Sequence, residues 1–193
     1  MKYTLKFRIW HWLNAIVIFG LLGTVFLRKT FLSYKTNAEI LVIKLSEIGV
    51  DLTIDDAKIV AKAIRNIMWE WHIIFGYALA FLVVYRIFLF FIDQSKREDF
   101  TSLDLHKKGV KALYYLLYIS LFILSVSGFV IYFYQNLGIS KEFAHTIKEI
   151  HELLAYVVIF FVPLHIAGVF IADATKESGI ISTMVNGKTK DNF

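Results

Sequence analysis

Residues 153–172 read LLAYVVIFFVPLHIAGVFIA, preceded by His151 and Glu152. These twenty positions hold no Lys, Arg, Asp or Glu and a single histidine, His165. About 20 apolar residues wound as a helix cover about 30 Å, the thickness of a bilayer's hydrocarbon. The stretch lacks strand-like alternation, and backbone polar groups cannot stay unpaired in lipid, so it reads as a spanning helix. With a helical lead-in it covers about 148–172. Three more stretches qualify on the same grounds, at about 9–27, 67–92 and 112–134. The fold class is therefore an all-α integral membrane four-helix bundle, a single domain over residues 1–193.

Composition agrees. Hydrophobic residues make up 58% of the 193 and charged residues 19%, against roughly 45–50% and 25% in ordinary soluble domains. A soluble protein of this size has too little interior to hide that much apolar surface, which excludes a water-soluble globular enzyme. The absence of cysteine excludes disulfides, thiolate metal sites, iron–sulfur clusters, a cysteine nucleophile and Cys-x-x-Cys-His haem attachment. The net charge of +5 comes from basic residues flanking the apolar runs, so membrane lipid headgroups, and not nucleic acid, are the expected anionic partners. The basic start resembles a signal peptide, but the apolar run after it ends at Arg28 and Lys29 with no small-residue cleavage site. It reads as a retained helix.

Lys2, Lys6 and Arg8, and then Lys96, Arg97, Lys107, Lys108 and Lys111, outnumber Lys141 and Lys148 in the third loop. The excess points to both termini and the second loop on the cytoplasmic side. The first loop dissents, with seven basic residues between Arg28 and Arg65 against five acids. It is too long to be structureless, and helices are expected within about 37–66. One carries Ile40, Leu41, Ile43, Leu45 and Ile48 and ends at Gly49; a second is capped by Thr53, with Asp55 and Asp56 in its first turn, and runs towards the second span. These helices read as interfacial, with a partner-docking platform as the alternative.

Four of the six histidines fall in or beside the spans: His11, His72, His151 and His165. Ionisable groups there are rare and functional by default, although each alone also fits a headgroup contact. His151 and His165 are 14 residues apart, which at about 100° per residue is within about 40° of whole turns, with a rise of about 21 Å. They share a face near opposite membrane surfaces. Alternating helix directions then put His11 on the side of His165, towards the cytoplasm, and His72 on the side of His151, towards the outside. His11 lies closer to its membrane edge than His165, a difference that tilt or a longer first helix must absorb.

A non-haem metal site needs three or four protein ligands, and the inner pair has no carboxylate within its apolar stretches. Haem needs only two axial ligands, so two non-covalent, bis-histidine haem b groups fit both pairs. Arg86, 14 residues after His72, lies on nearly the same face at the inner level. It meets either a haem propionate or the cytoplasmic headgroups. Gly76, one turn after His72, leaves room for a macrocycle, and Asn14 is a polar group in need of a partner. Pro163 is expected to kink the fourth helix. His106 and His145 read as solvated, and span three, without histidine or charge, reads as a structural wall.

The stretches RIWHWLNA (8–15), HIIFG (72–76) with YR (85–86), the His151–His165 pair ending in PLH (163–165), and GIISTMVNG (179–187) resemble the bacterial cytochrome b561 family. That family shares its fold with the cytochrome b subunits of nickel–iron hydrogenases and formate dehydrogenases. The resemblance covers nearly the whole chain and departs in the long first loop. It implies the same two haem pairs, in a protein of the bacterial cytoplasmic (inner) membrane that passes electrons between a quinone pool and a redox protein partner. It leaves open a stand-alone form, often a homodimer, or an anchor bound to dehydrogenase subunits. A quinone or quinol is expected near Asn14, or on the outer side near Glu70 or Glu152. The competing class is a proton or metal-ion transporter built on histidines, which predicts a colourless protein.

Overall fold

The computed structural model describes residues 3–92, 104–175 and 178–187. Among them six helices and no strands occur: α1 (Leu5–Lys29), α2 (Tyr34–Ser46), α3 (Ile54–Ile92), α4 (Leu105–Phe133), α5 (Lys141–Ala174) and α6 (Ile180–Val185). Among the described residues α1, α3, α4 and α5 are the helices long and apolar enough to cross a membrane. The chain is thus an all-α protein of four spanning helices. Large apolar side chains such as Phe81, Phe160 and Leu164 stay exposed, as a lipid-facing surface requires. Of the basic residues used to orient the chain, Lys2, Lys96 and Arg97 lie outside the described residues.

Each spanning helix is longer than its expected span, and local caps explain where α3, α4 and α5 start. Asp104 accepts the Lys107 backbone N–H at 2.8 Å and begins α4 seven residues before the expected span. Ser140 accepts the Phe143 N–H at 3.2 Å and begins α5. Thr53 accepts the Asp56 N–H while its hydroxyl donates to the Asp56 carboxylate at 2.6 Å, so the second loop helix and the second span are one helix. Pro163 lies inside α5, which continues through it.

The chain divides into two compact units, Met1–Asn14 with Leu79–Phe193, and Ala15–Ala78. Within Ala15–Ala78, α2 packs on the start of α3 through Ala38, Ala57 and Ala61, all fully buried, with Tyr34, Leu41, Val42 and Leu52 around them. Small residues at these three positions let two backbones approach closely. The Tyr34 ring lies under both Lys62 and Arg65 at 5.4 and 4.9 Å. The expected end of α2 at Gly49 falls three residues beyond the helix; the chain turns there with φ +80°, and Val50 N–H returns to the Leu45 carbonyl, a glycine-dependent C-terminal turn.

Within the other unit α4 and α5 form an antiparallel pair, since Tyr114 meets His165 and Ser127 meets His151. The α6 segment folds back beside the start of α1. Asp173 accepts the Gly179 and Ile181 N–H groups at 3.0 and 3.2 Å. Arg8 donates to the Met184 and Val185 carbonyls at 3.2 and 2.6 Å, and Trp12 Nε1 donates to the Met184 carbonyl. A Cβ on Gly187, where φ is +77°, would collide with the Arg8 guanidinium.

Candidate functional site

The site is built from half-buried histidines on helices whose remaining faces are apolar. α1 begins at Leu5, four residues before the expected span, so His11 sits nearly two turns inside the helix. That extra length absorbs the depth difference expected between His11 and His165. The two rings lie 6.2 Å apart, centroid to centroid, with their planes at 57°. Phe161, one turn before His165 on α5, stacks on it at 5.6 Å and 10°, and Tyr114 on α4 meets it edge-on with Oη 3.2 Å from Nδ1. His11 Nδ1 is buried without a hydrogen-bond partner.

Next to this pair Trp10 is buried and donates Nε1–H to the Leu82 carbonyl at 2.9 Å. The Arg86 guanidinium sits among the rings of Phe7, Trp10 and Tyr118 at 5.2–5.4 Å. Its Nε is buried and unpartnered, as is the Oδ1 of the buried Asn14. His11 Nδ1, Asn14 Oδ1 and Arg86 Nε are three of the five buried side-chain polar atoms that lack a hydrogen-bond partner among the described residues, and each is costly.

His72 and His151 belong to different units, and each finds a hydroxyl in its own. Thr24 Oγ1 lies 2.7 Å from His72 Nδ1, with Trp69 edge-on to the ring at 5.4 Å. Ser127 Oγ lies 2.8 Å from His151 Nδ1, and a Cβ on Gly128 would stand 3.4 Å from that ring. A Cβ at Gly76 would meet nothing within 4 Å, so space is open there. His106 and His145 are exposed, and His145 faces Glu149 at 3.6 Å.

Among the described residues no group of three or more His, Cys, Asp or Glu side chains is arranged to hold a metal ion. A pair of imidazoles needs a group that brings ligands of its own. The family comparison names it: the model for prokaryotic cytochrome b561 matches residues 2–187.

The chain belongs to the prokaryotic cytochrome b561 family.

It is accordingly a multi-pass membrane b-type cytochrome of electron transfer, and the cofactor its family implies is haem b. This cytochrome has no significant match among curated proteins or among solved structures. The residues present fit a haem: paired imidazoles as donors, with the half-buried Arg86 guanidinium and orphaned polar atoms in the same unit. Sequence reasoning passed over Thr24, Ser127, Tyr114 and Gly128. The first three are hydroxyls on otherwise apolar helices, a signal available in the chain to a reading not confined to ionisable residues. α4, which reads from sequence as a wall, supplies the hydroxyl partners of both His151 and His165.

Proposed function

We propose that this cytochrome holds two haem b groups and moves electrons across a bacterial cytoplasmic membrane between a quinone pool and a redox partner. His11 and His165 would hold the iron of the inner haem between them, and the observation that carries the reading is their ring separation of 6.2 Å. Two imidazoles on one iron stand about 6 Å apart between centres, from about 2 Å of metal–nitrogen bond and about 1 Å of ring on each side. His72 and His151 are proposed as the ligands of the second haem on their sequence register, supported by the hydroxyl that each ring meets within its own unit. Bound haem supplies one-electron chemistry at a potential set by its axial ligands and their surroundings.

The chain's own residues do the rest. Arg86, held by Phe7, Trp10 and Tyr118, neutralises a propionate with its unpartnered Nε side. Asn14 offers its buried Oδ1 to the hydroxyl of a quinol beside the inner pair, and the open space at Gly76 admits a macrocycle edge. Both termini face the cytoplasm. The partner is a redox protein, either a soluble one met by a stand-alone homodimer or the dehydrogenase subunits of a larger respiratory complex.

Haem counting by pyridine haemochrome on purified protein tests the reading. Two haems per chain are expected, one in His11→Ala or His165→Ala, and two in His106→Ala. A colourless wild type, or a His11→Ala/His165→Ala protein that keeps both haems, overturns it.

A further inference from the structure

The hydroxyl groups beside His72 and His151 are themselves committed. Thr24 Oγ1 stands 2.6 Å from the Leu21 carbonyl oxygen, and Ser127 Oγ stands 2.6 Å from the Ile123 carbonyl oxygen. Two oxygens approach that closely only with a proton between them. A hydroxyl has one proton to give and two lone pairs to offer. In both residues the proton goes to the backbone, one turn back along the same helix, so the hydroxyl meets the imidazole as an acceptor. The contact at 2.7 Å to His72 and at 2.8 Å to His151 then requires a proton on Nδ1. A neutral imidazole carries one ring proton, and Nε2 is left with its lone pair.

We infer that Thr24 and Ser127 are positioning residues that hold His72 and His151 as the Nδ1–H tautomer, aiming the Nε2 lone pair of each ring as the donor to iron. The inference rests on the haem reading above for its purpose, but its tautomer assignment stands on hydrogen-bond geometry alone. The two hydroxyls come from different helices, α1 and α4, and both sit at buried positions, where no water competes for the imidazole proton. Gly128, next to Ser127, leaves the space into which the His151 ring turns. An acceptor on the far nitrogen fixes ring orientation and raises the basicity of the ligating one. The more basic ligand favours ferric over ferrous iron, so each hydroxyl lowers the potential of the haem it serves.

The experiment uses the full chain with Thr24→Val and Ser127→Ala, and with Thr24→Ser and Ser127→Thr as variants that keep the hydroxyl. In a potentiometric titration, Thr24→Val and Ser127→Ala each raise the potential of one haem and leave the other unmoved. The expected change is up to about tenfold in the ferric–ferrous equilibrium, which is about 59 mV for one electron; Thr24→Ser and Ser127→Thr return towards wild type. On full chain prepared without haem, ¹⁵N spectra of labelled histidine show Nδ1–H forms for His72 and His151; Thr24→Val leaves mixed tautomers at His72, while Ser127→Ala shifts the His151 signals with the Leu124 carbonyl remaining as a second acceptor. Should Thr24→Val fail to fold, Ser127→Ala carries both measurements. Potentials and ¹⁵N patterns that ignore loss of the hydroxyls overturn the inference. A wild type that takes up no haem while its ¹⁵N pattern follows the hydroxyls overturns the haem reading and upholds the tautomer assignment.

Discussion

Replacing Trp10 tests the packing beside the His11–His165 pair. The indole is 4% exposed, donates to the Leu82 carbonyl at 2.9 Å, and carries the Arg86 guanidinium 5.4 Å from its ring centre. Leu82 lies in the interior of α3, so its carbonyl keeps a helical donor when the indole leaves. Losing the second donor costs about 1 kcal/mol, not the larger penalty of a stranded acceptor. Trimming the fused ring to that of phenylalanine removes buried area and leaves a small void, a further 1 to 2 kcal/mol, roughly. Trp10→Phe is thus expected to cost about 2–3 kcal/mol and Trp10→Ala about 3–5 kcal/mol. The assay is equilibrium unfolding in mixed micelles, followed by far-ultraviolet circular dichroism. A cycle of Trp10→Leu with Arg86→Met isolates the cation–ring contact and should show coupling of about 0.5–2 kcal/mol. A Trp10→Phe protein within about 0.5 kcal/mol of wild type, or a cycle additive to the same precision, refutes the account of Trp10 as the residue that cages Arg86.

Two further outcomes follow from local geometry. Gly128→Ala places a methyl 3.4 Å from His151 Cε1; the ring must give way by a few tenths of an ångström, and the ¹⁵N signals of His151 should move while those of His165 stay. Asp104 has its carboxyl held below the ordinary value, first by the Lys107 backbone N–H it accepts and then by the Lys107 charge. Because folding lowers this pKa, the cap's contribution is fully present above the usual carboxylate value of about 3.9 and fades as pH falls through the lower folded value. Protection of the first-turn amides of α4 relative to their intrinsic exchange rate should therefore fall only at acid pH, and Asp104→Ala should show low protection at every pH.

Chain order made some features plain and hid others. The four spans were legible because transfer of a side chain into hydrocarbon depends on its own chemistry, so a run such as 153–172 declares itself wherever it packs. The shared face of His151 and His165 followed from helix periodicity, and the Thr53 cap from its spacing to Asp56. The Arg8 clamp on Met184 and Val185 was not legible, since it joins residues 176 and 177 positions apart. Neither was the hydroxyl at each of three histidines, for serine, threonine and tyrosine in a spanning helix look alike until a neighbour is known.

Sequence by itself determined the all-helical membrane fold and which residues recur on one helix face, because both follow from single-residue hydrophobicity and a fixed turn of about 3.6 residues. Only tertiary structure decided that the His11 and His165 rings stand 6.2 Å apart, that three aromatic rings enclose Arg86, and that a hydroxyl meets the Nδ1 of both His72 and His151. Those depend on the rotation and tilt of one helix against another, which are set by the summed fit of many side chains and appear in no local pattern.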